Sequence, residues 1–164
     1  QKSKDAFLFC CYAGLRYSDF INLTAANIVE LHQETWLIYK SVKTGIDVRL
    51  PLYLLFEGKG LRVLETYKDD LNGFFKLKDN SNVNKDLNAL AKLAEIDKRI
   101  SFHTARHTNA TLLIYSGANI TTVQKLLGHK SVKTTQVYAN IMDMTIVHDL
   151  EKAAYSKLAN RPKS

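Results

Sequence analysis

The pattern of apolar and polar positions divides the chain into a helical start, a short β-rich stretch and a long helical remainder. Residues Asp5 to Tyr12 are apolar and compatible with a helix that Gly14 ends, and Ser18 can cap a second short helix. Runs rich in β-branched and aromatic residues then predict three strands, over Ile28 to Leu31, Thr35 to Ser41 and Ile46 to Leu50. Pro51 is predicted to end the third strand.

From Leu52 onward the pattern is helical again. Six helices are predicted, over Leu61 to Asp69, Lys85 to Ala94, His103 to Ser116, Thr121 to Leu127, Val132 to Asn140 and Thr145 to Leu158. The polar, asparagine-rich segment 76–84 is predicted to connect two of them. The elements together predict an α+β fold, a mostly helical domain with one small three-stranded antiparallel sheet. Because the sheet is too small to be the core, it is predicted to form a hairpin that can reach a partner.

The composition predicts a globular domain with a basic surface. The chain has 164 residues, 46% of them hydrophobic, and its 23 Lys and Arg against 16 Asp and Glu give a net charge of +7. This charge favours a polyanionic partner, most commonly nucleic acid, with a basic domain unrelated to DNA as the alternative. Cys10 and Cys11 are adjacent and bridge only with strain, which predicts reduced core residues in a reducing compartment. No apolar run approaches the roughly 20 residues of a membrane span, so no membrane partner is expected.

Six residues spread along the chain carry the candidate chemistry: Arg16, Lys43, His103, Arg106, His129 and Tyr138. All except the tyrosine are cationic or can become so. In the sequence they are accompanied by no paired carboxylates, glycine-rich phosphate loop or metal-ligand motif. Cations around one tyrosine suit the attack of a phenol oxygen on a phosphodiester without a metal.

The spacing within this set refines the prediction. His103 and Arg106 lie one turn apart on a helix face and can contact one phosphate. His107, four residues after His103, makes a metal site an alternative, but no third ligand is evident and Arg106 repels a cation. A capping or core histidine beside a surface arginine is the plainer alternative. Farther along, Leu127-Gly128-His129 ends a helix with a glycine and presents a histidine at a turn, nine residues before Tyr138.

Five short motifs, taken in order, resemble those of the tyrosine recombinases, also called the phage integrase family. They are Gly14-Leu15-Arg16-Tyr17-Ser18-Asp19, Lys43-Thr44-Gly45, His103-Thr104-Ala105-Arg106-His107, Leu127-Gly128-His129 and Tyr138-Ala139. Each motif alone is weak, but their order and spacing match over nearly the whole chain. The first two motifs resemble integrases of Bacteroides-type transposons and conjugative elements. Ala105 departs from the family, in which many members have a hydrophobic third residue in the His-x-x-Arg motif.

The resemblance implies how a scissile phosphate is held. Arg16 and Arg106 would clamp the phosphate in its pentacoordinate transition state, and His129 would donate a hydrogen bond to a non-bridging oxygen. Asp19 would orient Arg16, and His107 would support the same site. The transition state carries more negative charge than the ground state, so cations fixed around it lower the barrier. No metal and no other cofactor is therefore expected.

The resemblance also implies how a strand is cut. Tyr138 would attack the phosphate, giving a 3′-phosphotyrosyl link and a free 5′-hydroxyl. Lys43 in the hairpin turn would protonate that hydroxyl, and His103 would assist as a general acid or base near the tyrosine. Lys40 competes for the role of proton donor, but Lys43 is preferred because the Thr-Gly turn follows it directly.

The implied function is a site-specific DNA recombinase that integrates or excises a mobile element. Type IB topoisomerase-like relaxation and a catalytically silent DNA-binding relic are the alternatives. The expected partner is double-stranded DNA, with further phosphate contacts from four basic residues near the motifs, namely Arg49, Lys125, Lys130 and Lys133. Four protomers are expected on two duplexes, in the bacterial cytoplasm and on the nucleoid.

Residues 1–164 are expected to be the catalytic domain alone, with the core-binding domain of a full recombinase absent from this chain. Residues 144–159 are expected to form an exchange helix between protomers. An apolar stripe recurs there at helical spacing, made of Val147, Leu150, Ala154 and Leu158. Packing of that stripe on its own domain is the alternative.

Overall fold

The computed structural model describes residues 1–139 of the chain. The α-helices within this range are α1 (Lys2–Ala13), α2 (Tyr17–Phe20), α3 (Lys59–Thr66), α4 (Leu71–Phe74), α5 (Asn80–Leu93), α6 (Phe102–Tyr115), α7 (Ile120–Leu127) and α8 (Val132–Ala139). The strands are β1 (Ile28–Leu31), β2 (Glu34–Lys40) and β3 (Asp47–Pro51). Short 3-10 turns cover Ala25–Asn27, Leu55–Gly58 and Lys68–Asp70. The predicted α+β fold is confirmed.

The three strands form one antiparallel sheet in the order β1-β2-β3. Side chains alternate between its two faces, because successive residues of a strand point in opposite directions. The inner face is buried and consists of Leu37, Tyr39, Val48 and Leu50. The outer face carries Lys40 and Arg49, both exposed, with Arg49 paired opposite Ile38. The sheet therefore packs on the helical body through one face, and β3 contacts α7.

Helix α1 lies at the centre of the domain, packed against α3, α5 and α6. Ala6, Phe9 and Cys10 are fully buried, as expected of a helix surrounded by others. Both cysteines are free and buried, as predicted. Five phenylalanines meet around this helix in mostly edge-to-face pairs with ring centroids 5.3–6.2 Å apart, namely Phe9, Phe20, Phe74, Phe75 and Phe102. Such pairs contribute about 0.5–1.5 kcal/mol each beyond the burial of their area.

Two predictions about elements need correction, and one helix was not predicted. Segment 76–84 is not all connection, because Asp79 accepts a hydrogen bond from the Asn82 amide at 3.1 Å and caps α5 from Asn80. Helix α4 was not predicted, although Asp70 caps it through the Gly73 amide at 2.8 Å. The second helix begins at Tyr17, which puts Arg16 and not Ser18 at the cap position. The predicted helix from Thr145 to Leu158 lies outside the described residues.

Candidate functional site

Two glycines end the helices that lead into the site. Gly14 follows α1 with φ of 72° and Gly128 follows α7 with φ of 60°, a left-handed conformation that glycine adopts without strain. A Cβ on Gly128 would also lie 2.7 Å from Cγ2 of Val48 on β3. Glycine at 128 is therefore required by the backbone and by the close approach of the sheet. The chain turns there and presents His129.

Arg106 is the most buried of the candidate cations, with only 1% of its surface exposed. Its Nη1 donates to the Gly14 carbonyl at 2.6 Å and its Nη2 donates to the Leu127 carbonyl at 2.5 Å. Burial, and secondly Arg16, lowers the pKa of the Arg106 guanidinium to about 10, so it stays charged at neutral pH. One side chain thus joins the ends of α1 and α7 and holds a positive charge inside the domain.

Arg16 is held by a carboxylate and a hydroxyl. Its Nη1 lies 3.5 Å from Oδ2 of Asp19 and donates to Oγ of Ser41 at 3.2 Å. Asp19 is buried and also accepts hydrogen bonds from Ser41 Oγ at 3.3 Å and from the Val42 amide at 2.8 Å. The carboxylate therefore ties Arg16 to the start of the β2–β3 turn. This contact agrees with the orienting role expected for Asp19, which stays a prediction.

His129 is 6% exposed, and its Nδ1 lies 2.9 Å from Oγ1 of the fully buried Thr135. Its backbone is fixed by a hydrogen bond from the His129 amide to the Gln124 carbonyl at 3.1 Å. Burial lowers the pKa of His129 to about 4, with further contributions from Arg106, Arg16 and His103. The imidazole is therefore neutral at pH 7 and can donate through one nitrogen only.

Tyr138 lies on α8 with 7% of its surface exposed. Its ring centroid is 5.4 Å from that of His107, which in turn lies 4.4 Å from the ring of His103. Burial raises the pKa of the Tyr138 phenol, whereas Arg106 and Arg16 lower it. The structure therefore brings Tyr138 into the electrostatic reach of both arginines, with His107 and not His103 in contact with its ring.

Lys43, Arg16 and His103 line one cavity of about 360 Å³, together with Tyr17, Ser18 and Asn80. Lys43 and His103 are both exposed. Burial, and then the electrostatic effect of His107, Arg106, Arg16 and Lys43, lowers the pKa of His103. Lys40 lies on the outer face of the sheet and does not line this cavity. The six candidate residues come together from distant parts of the chain. Arg106, His129 and Tyr138 are buried, and Arg16, Lys43 and His103 line the open cavity.

The four candidate DNA contacts fall into two groups. Lys125 on α7, Lys130 in the following turn and Lys133 on α8 are all exposed, and each lies within four positions of His129 in sequence. Arg49 is exposed on the outer face of β3, opposite to Val48. The three lysines are close to His129 in sequence, whereas Arg49 is distant from it in sequence and lies in the sheet.

Sequence reasoning did not single out three hydroxyl groups of the site, those of Ser41, Thr44 and Thr135. Thr44 Oγ1 donates to the Gly128 carbonyl at 3.0 Å, across 84 positions of sequence. Only the place of Ser41 and Thr44 beside Lys43 could have pointed to them. In residues 1–139 no group of three His, Cys, Asp or Glu side chains could hold a metal ion. None of the helices in that range is long and apolar enough to cross a membrane.

Comparison of the sequence with known proteins identifies relatives of this chain. The profile of the phage integrase family matches residues 1–144. A tyrosine recombinase of Thermosipho africanus is 34% identical over 149 residues, which are 87% of this chain and 50% of the relative. The chain thus spans half the length of that protein.

Two solved structures share the fold. One is the XerA recombinase, with a TM-score of 0.67, 23% identity, and coverage of 99% of this chain and 64% of that one. The other is a lambda integrase tetramer bound to a Holliday junction, with a TM-score of 0.69, 19% identity, and coverage of 84% and 42%.

Proposed function

The chain belongs to the phage integrase family, and from that premise we propose that it is the catalytic domain of a site-specific DNA recombinase. It cleaves and rejoins DNA strands through a 3′-phosphotyrosyl intermediate, in the integration or excision of a mobile element. The observation that carries the proposal is the burial of Tyr138 against His107 within the field of Arg106 and Arg16.

The scissile phosphate binds to Arg16 and Arg106. Two carbonyls fix Arg106 and leave its remaining N–H groups for the phosphate. Asp19 and Ser41 orient Arg16 in the same way. Because both guanidinium groups are in place before the reaction, they stabilise the added negative charge of the pentacoordinate transition state without reorganisation.

His129 supplies a neutral hydrogen bond to the same phosphate. We assign the Thr135 hydroxyl as the donor to Nδ1, which lies 2.9 Å away, and this assignment puts the proton of the neutral imidazole on Nε2. The Nε2–H then donates to a non-bridging oxygen. The low pKa of His129 keeps it in this one protonation state across the neutral range.

The chemical step exchanges one phosphoester bond for another. The Tyr138 oxygen attacks phosphorus and loses its proton to the proposed base His103, whose ring contacts that of His107 beside the tyrosine, while the bond from phosphorus to the 5′-oxygen breaks. Lys43 gives a proton to that oxygen. No water or nucleotide is consumed, since the bond energy stays in the phosphotyrosyl link, and the reverse reaction with a 5′-hydroxyl of the partner duplex completes the exchange.

The full-length protein is proposed to act as a tetramer on two duplexes, as the lambda integrase neighbour does on a Holliday junction. Residues 144–159 are proposed to dock on a neighbouring protomer. Deleting residues 144–164 should then preserve cleavage better than strand exchange and should reduce synaptic complexes on a native gel. Unchanged synapsis and exchange would leave this segment without that role.

The decisive experiment is covalent trapping. The full-length protein is incubated with a nicked suicide duplex carrying its recombination site, and the DNA-linked peptide is mapped. We expect an adduct at Tyr138 that persists in EDTA, is abolished by Tyr138→Phe with DNA binding retained, and survives Tyr115→Phe. Tyr115 is a matched control because it is 49% exposed on α6. An adduct at another residue, or relaxation of supercoiled DNA without strand exchange, would contradict the proposal.

A further inference from the structure

The turn between β2 and β3 is fastened to the site on both sides of Lys43. Before it, the Val42 amide donates to Oδ1 of Asp19 at 2.8 Å. After it, the Thr44 hydroxyl donates to the Gly128 carbonyl at 3.0 Å. The turn itself is closed by a hydrogen bond from the Gly45 amide to the Ser41 carbonyl at 2.8 Å. The two neighbours of Lys43 in the chain are therefore each hydrogen-bonded to the site. Val42 is bonded to Asp19, and Thr44 is bonded to Gly128.

The ammonium group of Lys43 makes no hydrogen bond or ion pair with other side chains or backbone groups of residues 1–139, and the side chain is exposed. Its approach to the cavity is thus set by the backbone of the turn. Gly45 adds no side chain, and a Cβ there would meet nothing within 4 Å. Across the described residues, the Thr44 hydroxyl is the side-chain bond that holds the second half of the turn against the site.

We propose that Thr44 is a positioning residue for Lys43. Its hydrogen bond to Gly128 keeps the turn against the α7 end and so keeps the Lys43 ammonium group in the cavity that Arg16 and His103 share. Because the acceptor is the carbonyl directly before His129, one bond sets the proton donor and the phosphate-binding imidazole in register. The inference rests on the proposed function, in which Lys43 protonates the leaving 5′-oxygen.

A merely structural threonine and a positioning threonine differ in one measurable respect. A 5′-bridging phosphorothiolate substrate leaves without needing a proton, because a thiolate is a far better leaving group than an alkoxide. A defect that acts through Lys43 should disappear with this substrate. A defect that acts through general loosening of the domain, or through the phosphate-binding arginines, should affect both substrates alike.

The test compares single-turnover cleavage of ordinary and 5′-phosphorothiolate DNA by the full-length protein. The variants are Thr44→Val, which keeps the shape and loses the hydroxyl, Thr44→Ser, which keeps the hydroxyl, and Lys43→Ala. Thr66→Val is the matched control, because Thr66 is exposed on α3 and its hydroxyl also donates to a backbone carbonyl, that of Arg62 at 3.3 Å. Melting temperature and DNA affinity are measured for every variant.

We expect Thr44→Val to slow cleavage of ordinary DNA about fivefold or more, the rate equivalent of one lost hydrogen bond. On the phosphorothiolate it should cleave at close to the wild-type rate, as should Lys43→Ala. Thr44→Ser should retain most activity on both substrates, and Thr66→Val should match the wild type. The melting temperature of Thr44→Val should stay close to that of Thr66→Val.

Two results overturn the inference in distinguishable ways. If Lys43→Ala is rescued by sulfur and Thr44→Val is either unimpaired or equally impaired on both substrates, Thr44 does not act through Lys43, and the proposed function stands. If sulfur does not rescue Lys43→Ala, Lys43 is not the proton donor. That part of the proposed function then fails, and the role of Thr44 fails with it.

Discussion

The buried and the exposed parts of the site are held by different means. The floor, which we define as Asp19, Arg106, His129 and Tyr138, is almost fully buried, and its two charged side chains make several bonds each to backbone groups and neighbours. The rim, defined as Lys43, His103 and His107, is exposed and sits on a turn and one helix face. In the proposed mechanism, charge stabilisation requires groups fixed in advance, namely Arg106 of the floor and Arg16, which Asp19 and Ser41 hold. Proton transfer requires reach toward an oxygen that moves away, so it belongs on the rim.

The largest effects on cleavage and stability are expected for arginine-to-lysine substitutions. They compare Arg106 of the buried floor with the partly exposed Arg16. Arg106→Lys and Arg16→Lys should each slow cleavage at least about tenfold, since lysine lacks the bidentate fork. Arg106→Lys should also lower the free energy of unfolding by about 1–3 kcal/mol, because the Gly14 and Leu127 carbonyls lose their partner. Arg16→Lys should lower it less. Suicide-substrate cleavage and urea unfolding measure the two effects, and equal loss of stability in both variants would contradict the comparison.

A glycine pair sharpens the same contrast on the backbone. Gly128 and Gly45 have similar positive φ, 60° and 69°. A Cβ at 128 would clash with Val48 at 2.7 Å, whereas a Cβ at 45 meets open space. Gly45→Ala should cost about 1 kcal/mol from its conformation alone. Gly128→Ala should cost about 2–4 kcal/mol, since overpacking is added. Chemical denaturation measures the free energy of unfolding of both variants. Similar losses in the two variants would mean that β3 moves freely away from α7.

The pH dependence of stability tests the floor through His129. Its pKa is about 4 in the folded chain and near 6.5 when unfolded, so the unfolded chain binds more protons between these values. The contribution of His129 to stability is therefore complete above about pH 6.5 and is lost as the pH falls toward 4. Unfolding at pH 7 and pH 5 should show a smaller difference in His129→Gln than in the wild type. An equal difference in the variant and in the wild type would contradict this prediction.

The smallest effects are expected from single surface charges. Lys125, Lys130 and Lys133 are exposed and lie within four positions of His129 in sequence. As proposed phosphate contacts, each should reduce the slope of log affinity against log salt by about 1 when it is replaced by alanine. Arg49 lies on the outer face of the sheet and remains a predicted contact. Comparing the salt slopes of Arg49→Ala and Lys130→Ala tests whether DNA contacts that face. An unchanged slope in the lysine variants would remove them from the interface.

The sequence allowed prediction of what local pattern determines. The three strands lie within one residue of their expected bounds because β-branched and aromatic residues mark them, and Gly14 and Gly128 end helices as glycine requires. The start of α5 escaped prediction because Asn80 follows no apolar pattern and depends on one cap from Asp79. The bond from Thr44 to Gly128 escaped it for another reason, since it joins residues 84 positions apart.

The dual bonding of Arg106 bears on how such a gene decays once its activity is no longer under selection. If Arg106 acts as proposed, a substitution there would remove cleavage and weaken the fold together, so the altered chain would be exposed to unfolding and proteolysis. Loss of Lys43 would abolish the proposed proton donation and leave the packing intact, because the side chain is exposed and makes no bond among the described residues. Inactive copies are therefore expected to accumulate changes at Lys43 earlier than at Arg106. An arginine at position 106 alone is poor evidence that a copy is active, whereas a lysine at position 43 is informative.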